Sequence, residues 1–79
     1  MANKVSNLKL VKKDTLEEVF IHDELVITGK YSHYGRRCTL EGTVKSKRGD
    51  TTMYRILIQD GVGYRTVSAE ELGVRVVMR

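Results

Sequence analysis

A chain of 79 residues, 41% hydrophobic and 30% charged, has room for one small globular domain and lacks the composition of a disordered chain. Its single cysteine, Cys38, excludes an internal disulfide and any metal site that needs several thiolates. No apolar run is long enough to cross a membrane and no leader peptide is recognisable, so we expect a soluble cytoplasmic protein.

The net charge of +4 is concentrated in the middle of the sequence. Residues 1–27 carry four lysines and five acids, and residues 58–79 carry three arginines and three acids. Residues 28–57 carry seven Lys or Arg against two acids, a net charge of +5 (7 − 2). Such a concentrated basic segment attracts polyanions or acidic protein surfaces more strongly than the same charge spread evenly.

The first predicted element is a β-hairpin. Residues 1–7 show no pattern and are expected to be a flexible, frayed end. The segments 8–13 and 17–21 are rich in apolar residues and flank Asp14-Thr15, which favours a turn. The alternative is a short helix capped by Asp14, but the β-branched and aromatic residues of the second segment favour the hairpin.

A pair of strands joined by a loop rich in glycine and tyrosine is predicted in the middle of the chain. A polar turn over residues 22–24 leads into a strand over residues 25–28, and the loop follows over residues 29–35. Beyond the loop, apolar and polar residues alternate, which is typical of a half-buried strand. The residues expected on the buried side of this strand are Cys38, Leu40, Gly42 and Val44.

A second hairpin is predicted after a loop over residues 47–51. Its first strand is expected to point Tyr54, Ile56 and Ile58 inward and Met53, Arg55 and Gln59 outward. Leu57 interrupts the polar side of that strand, which indicates a covered or contacting face. Residues 60–63, Asp-Gly-Val-Gly, contain glycines that accept positive φ, as a tight turn requires, and a strand follows over residues 64–67.

A single helical turn is predicted before the last strand. Ser68 is a favourable N-cap, Glu71 three residues later completes a capping box, and Gly73 can end the turn in the left-handed region. Leu72 is expected to insert into the core. Residues 74–78 then form the last strand, and the residues expected on one side of it are Val74, Val76 and Met78.

These elements predict an all-β fold with a single domain over residues 1–79. The expected architecture is a small, partly open barrel with an N-terminal β-hairpin and one short helical turn before the last strand. From about residue 23 to residue 77 the sequence resembles an SH3-like small barrel. Its opening segments are similar to a KOW-type motif. They are Gly29-Lys30-Tyr31 and then Gly35-Arg36-Arg37, which precede an alternating strand. The whole layout also resembles small uncharacterised bacteriophage proteins.

The resemblance to KOW-type domains implies a ligand that is RNA, DNA or a protein of the transcription or translation machinery. Lysine and arginine can neutralise phosphates, and tyrosine and histidine can stack on unpaired bases. We expect Arg37, Lys45 and Arg55 to lie on one face of the sheet. The candidate nucleic-acid-binding residues are Lys30, Tyr31, His33, Tyr34, Arg36, Arg37, Lys45, Lys47, Arg48 and Arg55.

A structural interpretation competes with this one, because a small barrel normally buries one or both loop tyrosines and a solvent-facing arginine needs no ligand. The alternative function is protein binding. Tyrosine and arginine are favoured anchors in interfaces, and the arginines can meet an acidic surface of a nucleic-acid-handling protein. The bacteriophage resemblance implies a small adaptor or inhibitor of such a host protein. The residues expected in such a surface are Tyr31, Tyr34, Met53, Leu57 and Tyr64.

Nucleic acid is the favoured ligand, and we expect a monomer or, through an exposed edge of the N-terminal hairpin, a weak dimer. No catalytic activity, metal or cofactor is expected. Cys38 and His33 are the residue types of a nucleophile and its base, but a thiol on the apolar side of a strand is usually an inert core residue. Residues 22–24, His-Asp-Glu, carry metal-binding atoms, yet neighbours along a strand or turn point in different directions.

Overall fold

The computed structural model describes residues 8–49 and 51–78, and these form an all-β fold. The predicted frayed end at residues 1–7 and the Asp50 position of the 47–51 loop lie outside the described residues. The elements in chain order are β1 (Leu8–Lys12), β2 (Glu24–Val26), β3 (Arg37–Lys45), β4 (Thr52–Ile58), β5 (Gly63–Val67), α1 (Ala69–Leu72) and β6 (Val74–Met78). The all-β class and the single helical turn before the last strand are therefore confirmed.

The described strands form two antiparallel sheets. Strands β2, β3, β4 and β5 pair in that order, and β1 pairs with β6. The buried side chains of the larger sheet, such as Leu40 and Ile56, belong to one hydrophobic cluster with Val74 of β6 and Leu72 of α1. No strand pairing joins β5 to β6 within the described part of the chain, so the two sheets enclose the core without closing into a barrel.

The N-terminal hairpin is shorter than predicted. The chain turns back after β1. The Lys12 N–H donates a hydrogen bond to Glu17 O at 2.9 Å, and an isolated β-bridge joins Val11 and Glu18. The pairing ends there because Phe20 N–H donates to Asp23 Oδ2 at 2.9 Å, which starts a new turn. The alternative prediction, a short helix capped by Asp14, is wrong. Residues 17–21 run back antiparallel to β1, and they contain a single β-bridge and no helix.

A β-bulge divides strand β3. Before it, Cys38 and Leu40 are buried as predicted, and they pair with Ile58 and Ile56 of β4. The register then shifts between Leu40 and Gly42, which leaves Glu41 as the extra residue. Because side chains alternate along a strand, one extra residue exchanges the two faces of everything that follows it.

Beyond the bulge, the predicted alternation of β3 is therefore wrong. Thr43 pairs with Tyr54 and so points toward the core side, whereas Val44 pairs with Met53 and is 40% exposed on the opposite side. Lys45 pairs with Thr52, and its Nζ donates to Thr52 Oγ1 at 3.3 Å, so Lys45 shares the face of Thr43.

Helix α1 closes one end of the core, and its N-cap and C-cap residues are the ones that the sequence predicts. The Ser68 hydroxyl accepts the Glu71 N–H at 3.1 Å, and Gly73 ends the helix with φ of 91°. Leu72 is buried in the core cluster. The capping box is incomplete in the described residues: the Glu71 carboxylate lies 3.6 Å from His33 Nδ1 rather than on the Ser68 N–H.

Candidate nucleic-acid interface

The side of the four-stranded sheet that faces away from the core, here called the outer sheet face, is open to solvent. Val26, Val44 and Tyr64 on this face are 50%, 40% and 52% exposed. The strand register determines its members, since paired residues of antiparallel strands share a face. They are Glu24, Val26, Arg37, Thr39, Gly42, Val44, Met53, Arg55, Leu57, Gln59, Tyr64 and Thr66.

Two exposed arginines give the outer sheet face its charge. Neither Arg37 nor Arg55 has a carboxylate within salt-bridge distance among the described residues. The one acid on the face, Glu24, accepts a hydrogen bond from Gln59 Nε2 at 2.9 Å. The face therefore presents two cations against one carboxylate, with apolar and aromatic side chains between them.

Arg55 and Tyr64 are in direct contact on this face. Tyr64 pairs with Leu57 and Arg55 pairs with Thr66, which makes Arg55 and Tyr64 diagonal neighbours on adjacent strands. The guanidinium carbon of Arg55 lies 4.9 Å from the centroid of the Tyr64 ring. This distance is within the range of a cation–π contact, so the two side chains orient each other without neutralising the charge of Arg55.

The loop between β2 and β3, residues 27–36 and here called the β2–β3 loop, carries the next group of candidate residues. Two backbone hydrogen bonds close the base of this loop: the Ile27 N–H donates to Arg36 O at 2.9 Å, and the Gly35 N–H donates to Ile27 O at 2.8 Å. Tyr31 and Tyr34 are 51% and 59% exposed, so the interpretation that one or both of these tyrosines are buried is wrong. The loop therefore offers two aromatic rings to solvent beside Lys30 and Arg36.

His33 is placed differently from the other loop residues. Its side chain is only 23% exposed, and its Nδ1 lies 3.6 Å from Glu71 Oε2 of helix α1. No hydrogen-bond partner of this nitrogen is found among the described residues. The imidazole thus contacts the helix, and it is less accessible for stacking than Tyr31 or Tyr34.

The structure separates six of the seven predicted basic residues into two groups, and the seventh, Arg55, lies between them on β4, where it pairs with Gly42. The proximal basic group, Lys30, Arg36 and Arg37, lies at the start of β3, and the distal basic group, Lys45, Lys47 and Arg48, lies at its end or just beyond. Eight residue steps of a strand at about 3.3 Å each put these ends about 26 Å apart. The expectation that Lys45 shares a face with Arg37 and Arg55 is wrong, because the bulge at Glu41 intervenes.

The residues proposed for protein binding are also divided. Met53, Leu57 and Tyr64 share the outer sheet face, whereas Tyr31 and Tyr34 lie in the β2–β3 loop. Sequence reasoning missed the exposed Val26 and Val44 and the contact between Arg55 and Tyr64. The break in polar alternation at Leu57 was the available signal that this face is partly apolar.

A second surface, an apolar groove of about 360 Å³, lies on the other side of the four-stranded sheet, beside β1 and β6. Leu8, Phe20, Ile21 and Val76 along it are each about half exposed. Its charged lining consists of Lys9 and Glu18. An apolar groove with balanced charge does not match a polyanionic ligand.

Cys38 has the properties of a core residue. Its side chain is fully buried, and burial, with a smaller contribution from the charge of Glu24, raises the pKa of the thiol from 9.0 to about 11. The thiol is therefore kept protonated and unreactive near neutral pH. Over residues 8–49 and 51–78, no group of three or more His, Cys, Asp or Glu side chains is placed to hold a metal ion, and no helix could span a membrane.

No protein-family model, curated protein or solved structure matched this chain. The resemblance to SH3-like barrels and KOW-type motifs therefore remains a prediction from residues 29–37 and the strand pattern.

Proposed function

We propose that this chain is a non-catalytic module that binds nucleic acid through the outer sheet face and the adjoining β2–β3 loop. The observation that carries the proposal is the exposed pair of arginines, Arg37 and Arg55, which have no carboxylate partner in the described part of the chain and lie on one face with Tyr64. Cations neutralise phosphates, and an exposed aromatic ring offers a surface for a base.

The proximal basic group extends this surface. Arg36 directly precedes Arg37, and Lys30 belongs to the same loop, whose base is hydrogen-bonded at Ile27 and Arg36. The distal basic group begins about 26 Å from Arg37 along β3, about three Debye lengths at physiological ionic strength, and its Lys45 points away from the face that Arg55 shares with Arg37. We therefore assign phosphate contacts to Lys30, Arg36, Arg37 and Arg55 and none to the distal group.

The test is a fluorescence-anisotropy titration of a labelled short oligonucleotide at several salt concentrations. The variant Arg36→Gln/Arg37→Gln/Arg55→Gln removes three charges and keeps polar side chains of similar length. Because each phosphate contact to a single strand contributes about 0.7 to the slope of log K against log salt, we expect a slope shallower by about 2 and at least about tenfold weaker binding at low salt.

The matched control is Lys45→Gln/Lys47→Gln/Arg48→Gln, which removes the same charge from the other end of β3. It should leave the salt slope within about 0.5 of that of the unaltered protein. Equal losses in the two triple variants would mean that only net charge matters, and no binding by the unaltered protein at low salt would end the proposal. Circular dichroism of each variant verifies that it is folded.

A protein ligand is the second candidate, and a specific observation favours it. The outer sheet face exposes Val26 and Val44 and also carries the partly buried Met53 and Leu57, and phosphate binding by itself has no use for apolar side chains. An acidic surface of a nucleic-acid-handling protein would use both the arginines and this apolar area. Binding to such a partner should respond less to salt than nucleic-acid binding and more to truncation of Tyr31 or Tyr34.

A further inference from the structure

We infer that the ligand is single-stranded, and that Arg55 and Tyr64 form a platform on which an unpaired base stacks; this inference rests on the proposed function. The platform is defined by the 4.9 Å contact between the Arg55 guanidinium and the Tyr64 ring. Both side chains are exposed on the outer sheet face, and Tyr64 keeps 52% of its surface accessible. A planar cation on an aromatic ring can present a stacking surface and a phosphate contact at the same place.

The size of the outer sheet face argues against a double-stranded ligand. Its four strands lie about 4.8 Å apart, so the backbone of the sheet alone is about 14 Å wide. The major groove of B-DNA is about 12 Å wide, and the major groove of an RNA helix is narrower. The face is too wide to enter either major groove, and a duplex keeps its base faces hidden in the stack, where a stacking platform cannot reach them.

The surroundings of the platform also suit an unpaired base. Leu57 is paired directly with Tyr64, and it is only partly buried. It extends the flat apolar surface beside the ring. Thr39, the next residue across the sheet, pairs with Leu57 and carries a hydroxyl that can bond a base edge.

Arg37 provides the second anchor of the same ligand. It lies two strands from Tyr64 and two residues further along the sheet, a separation of about 12 Å from strand spacing and residue rise. One short strand of nucleic acid can therefore place a base on the Arg55–Tyr64 platform and a phosphate on Arg37. Such a ligand is held by a π-face and by charge, so recognition should depend weakly on base sequence.

The experiment compares a labelled oligouridine, an oligothymidine and a duplex of matched length by fluorescence anisotropy. The protein variants are Tyr64→Leu, which removes the ring, and Tyr64→Phe, which keeps it. Base stacking contributes about 1–3 kcal/mol per base, so Tyr64→Leu should weaken binding of both single strands about 5- to 150-fold. Tyr64→Phe should stay within about twofold of the unaltered protein, because phenylalanine also offers a π-face.

Two further readouts separate stacking from charge. Tyr64→Leu should leave the salt slope unchanged, because no cation is lost. The chain has four tyrosines and no tryptophan, so base stacking should quench its intrinsic tyrosine fluorescence, and less so in Tyr64→Leu. Tyr31→Leu is the matched control in the β2–β3 loop, and it should cost less single-strand affinity than Tyr64→Leu.

The outcomes distinguish this inference from the function on which it rests. Tighter binding of single strands than of duplex, together with a larger loss in Tyr64→Leu than in Tyr64→Phe or Tyr31→Leu, would support it. Equal binding of duplex and single strands, with no effect of Tyr64→Leu, would overturn the inference and leave nucleic-acid binding intact. No binding of any of the three oligonucleotides would overturn both.

Discussion

Gly29 of the β2–β3 loop packs directly against the backbone of helix α1, and its substitution by alanine tests that contact. The Gly29 N–H donates to Glu71 O at 3.1 Å, and the Thr28 N–H donates to Leu72 O at 3.4 Å. A Cβ on Gly29 would lie 2.5 Å from Glu71 O and would overlap the carbonyl oxygen of Glu70. Gly29 is not among the positive-φ glycines, so the clash is the reason that alanine does not fit.

The expected loss of stability follows from these contacts. Moving the loop off the helix disrupts two backbone hydrogen bonds of about 1 kcal/mol each and adds an overpacking cost of about 1–3 kcal/mol. Alanine also stabilises by about 0.4–1 kcal/mol through the unfolded state, so the net loss for Gly29→Ala should be about 2–4 kcal/mol. For a domain of this size each kcal/mol lowers the melting temperature by about 4–8 °C, so a loss of about 2–4 kcal/mol should lower the midpoint by about 8–32 °C.

Thermal and urea unfolding followed by far-ultraviolet circular dichroism measure this loss. Gly42→Ala is the matched control, because a Cβ on Gly42 meets nothing within 4 Å and its φ is not positive. The control should remain within about 1 kcal/mol of the unaltered protein. If Gly29→Ala and Gly42→Ala unfold at the same urea concentration, the β2–β3 loop does not pack against α1 through Gly29.

Two further predictions concern the core thiol and the helix cap. Burial raises the pKa of the Cys38 thiol from 9.0 to about 11, so the thiol loses its proton at a lower pH in the unfolded chain than in the folded protein. The stability that the protonated thiol contributes is therefore complete below about pH 9, and it falls by about 2–3 kcal/mol as the pH rises to about 11. Urea unfolding between about pH 9 and pH 11 should show that the stability of Cys38→Ala falls less with pH than that of the unaltered protein. An equal fall in the two proteins would show that the Cys38 thiol is not the group responsible. Ser68→Ala removes the acceptor of the Glu71 N–H and should cost about 1 kcal/mol in the free energy of unfolding, whereas Ser68→Asp should retain most of the stability. Equal stability of the serine and alanine forms would show that the cap contributes nothing.

The elements whose signals are local were predictable from residue types. Strand β6 lies over Val74–Met78, as its apolar pattern predicts. Ser68 and Gly73 cap α1 at the expected positions, because a cap depends on atoms within a few residues of it. The inward side of β4 was also correct, since Tyr54, Ile56 and Ile58 alternate without interruption and are all buried.

The arrangement of the candidate site was less predictable. Composition located the excess positive charge in residues 28–57, but it could not show that β3 separates two basic groups by about 26 Å. The contact between Arg55 and Tyr64 depends on the pairing of β4 with β5, and the docking of Gly29 depends on α1, about forty residues later in the chain.

Local patterns were sufficient for the all-β class, the tight turns, the helix cap and the position of the charge, because each depends on neighbouring residues. Long-range packing alone established that β6 joins β1, that the β2–β3 loop rests on α1, and that Lys45 faces away from Arg55. The physical reason is that a strand register is selected by its partners. The bulged residue Glu41 exchanges the two faces of the part of β3 that follows it, although the alternation of residue types in the sequence does not change there.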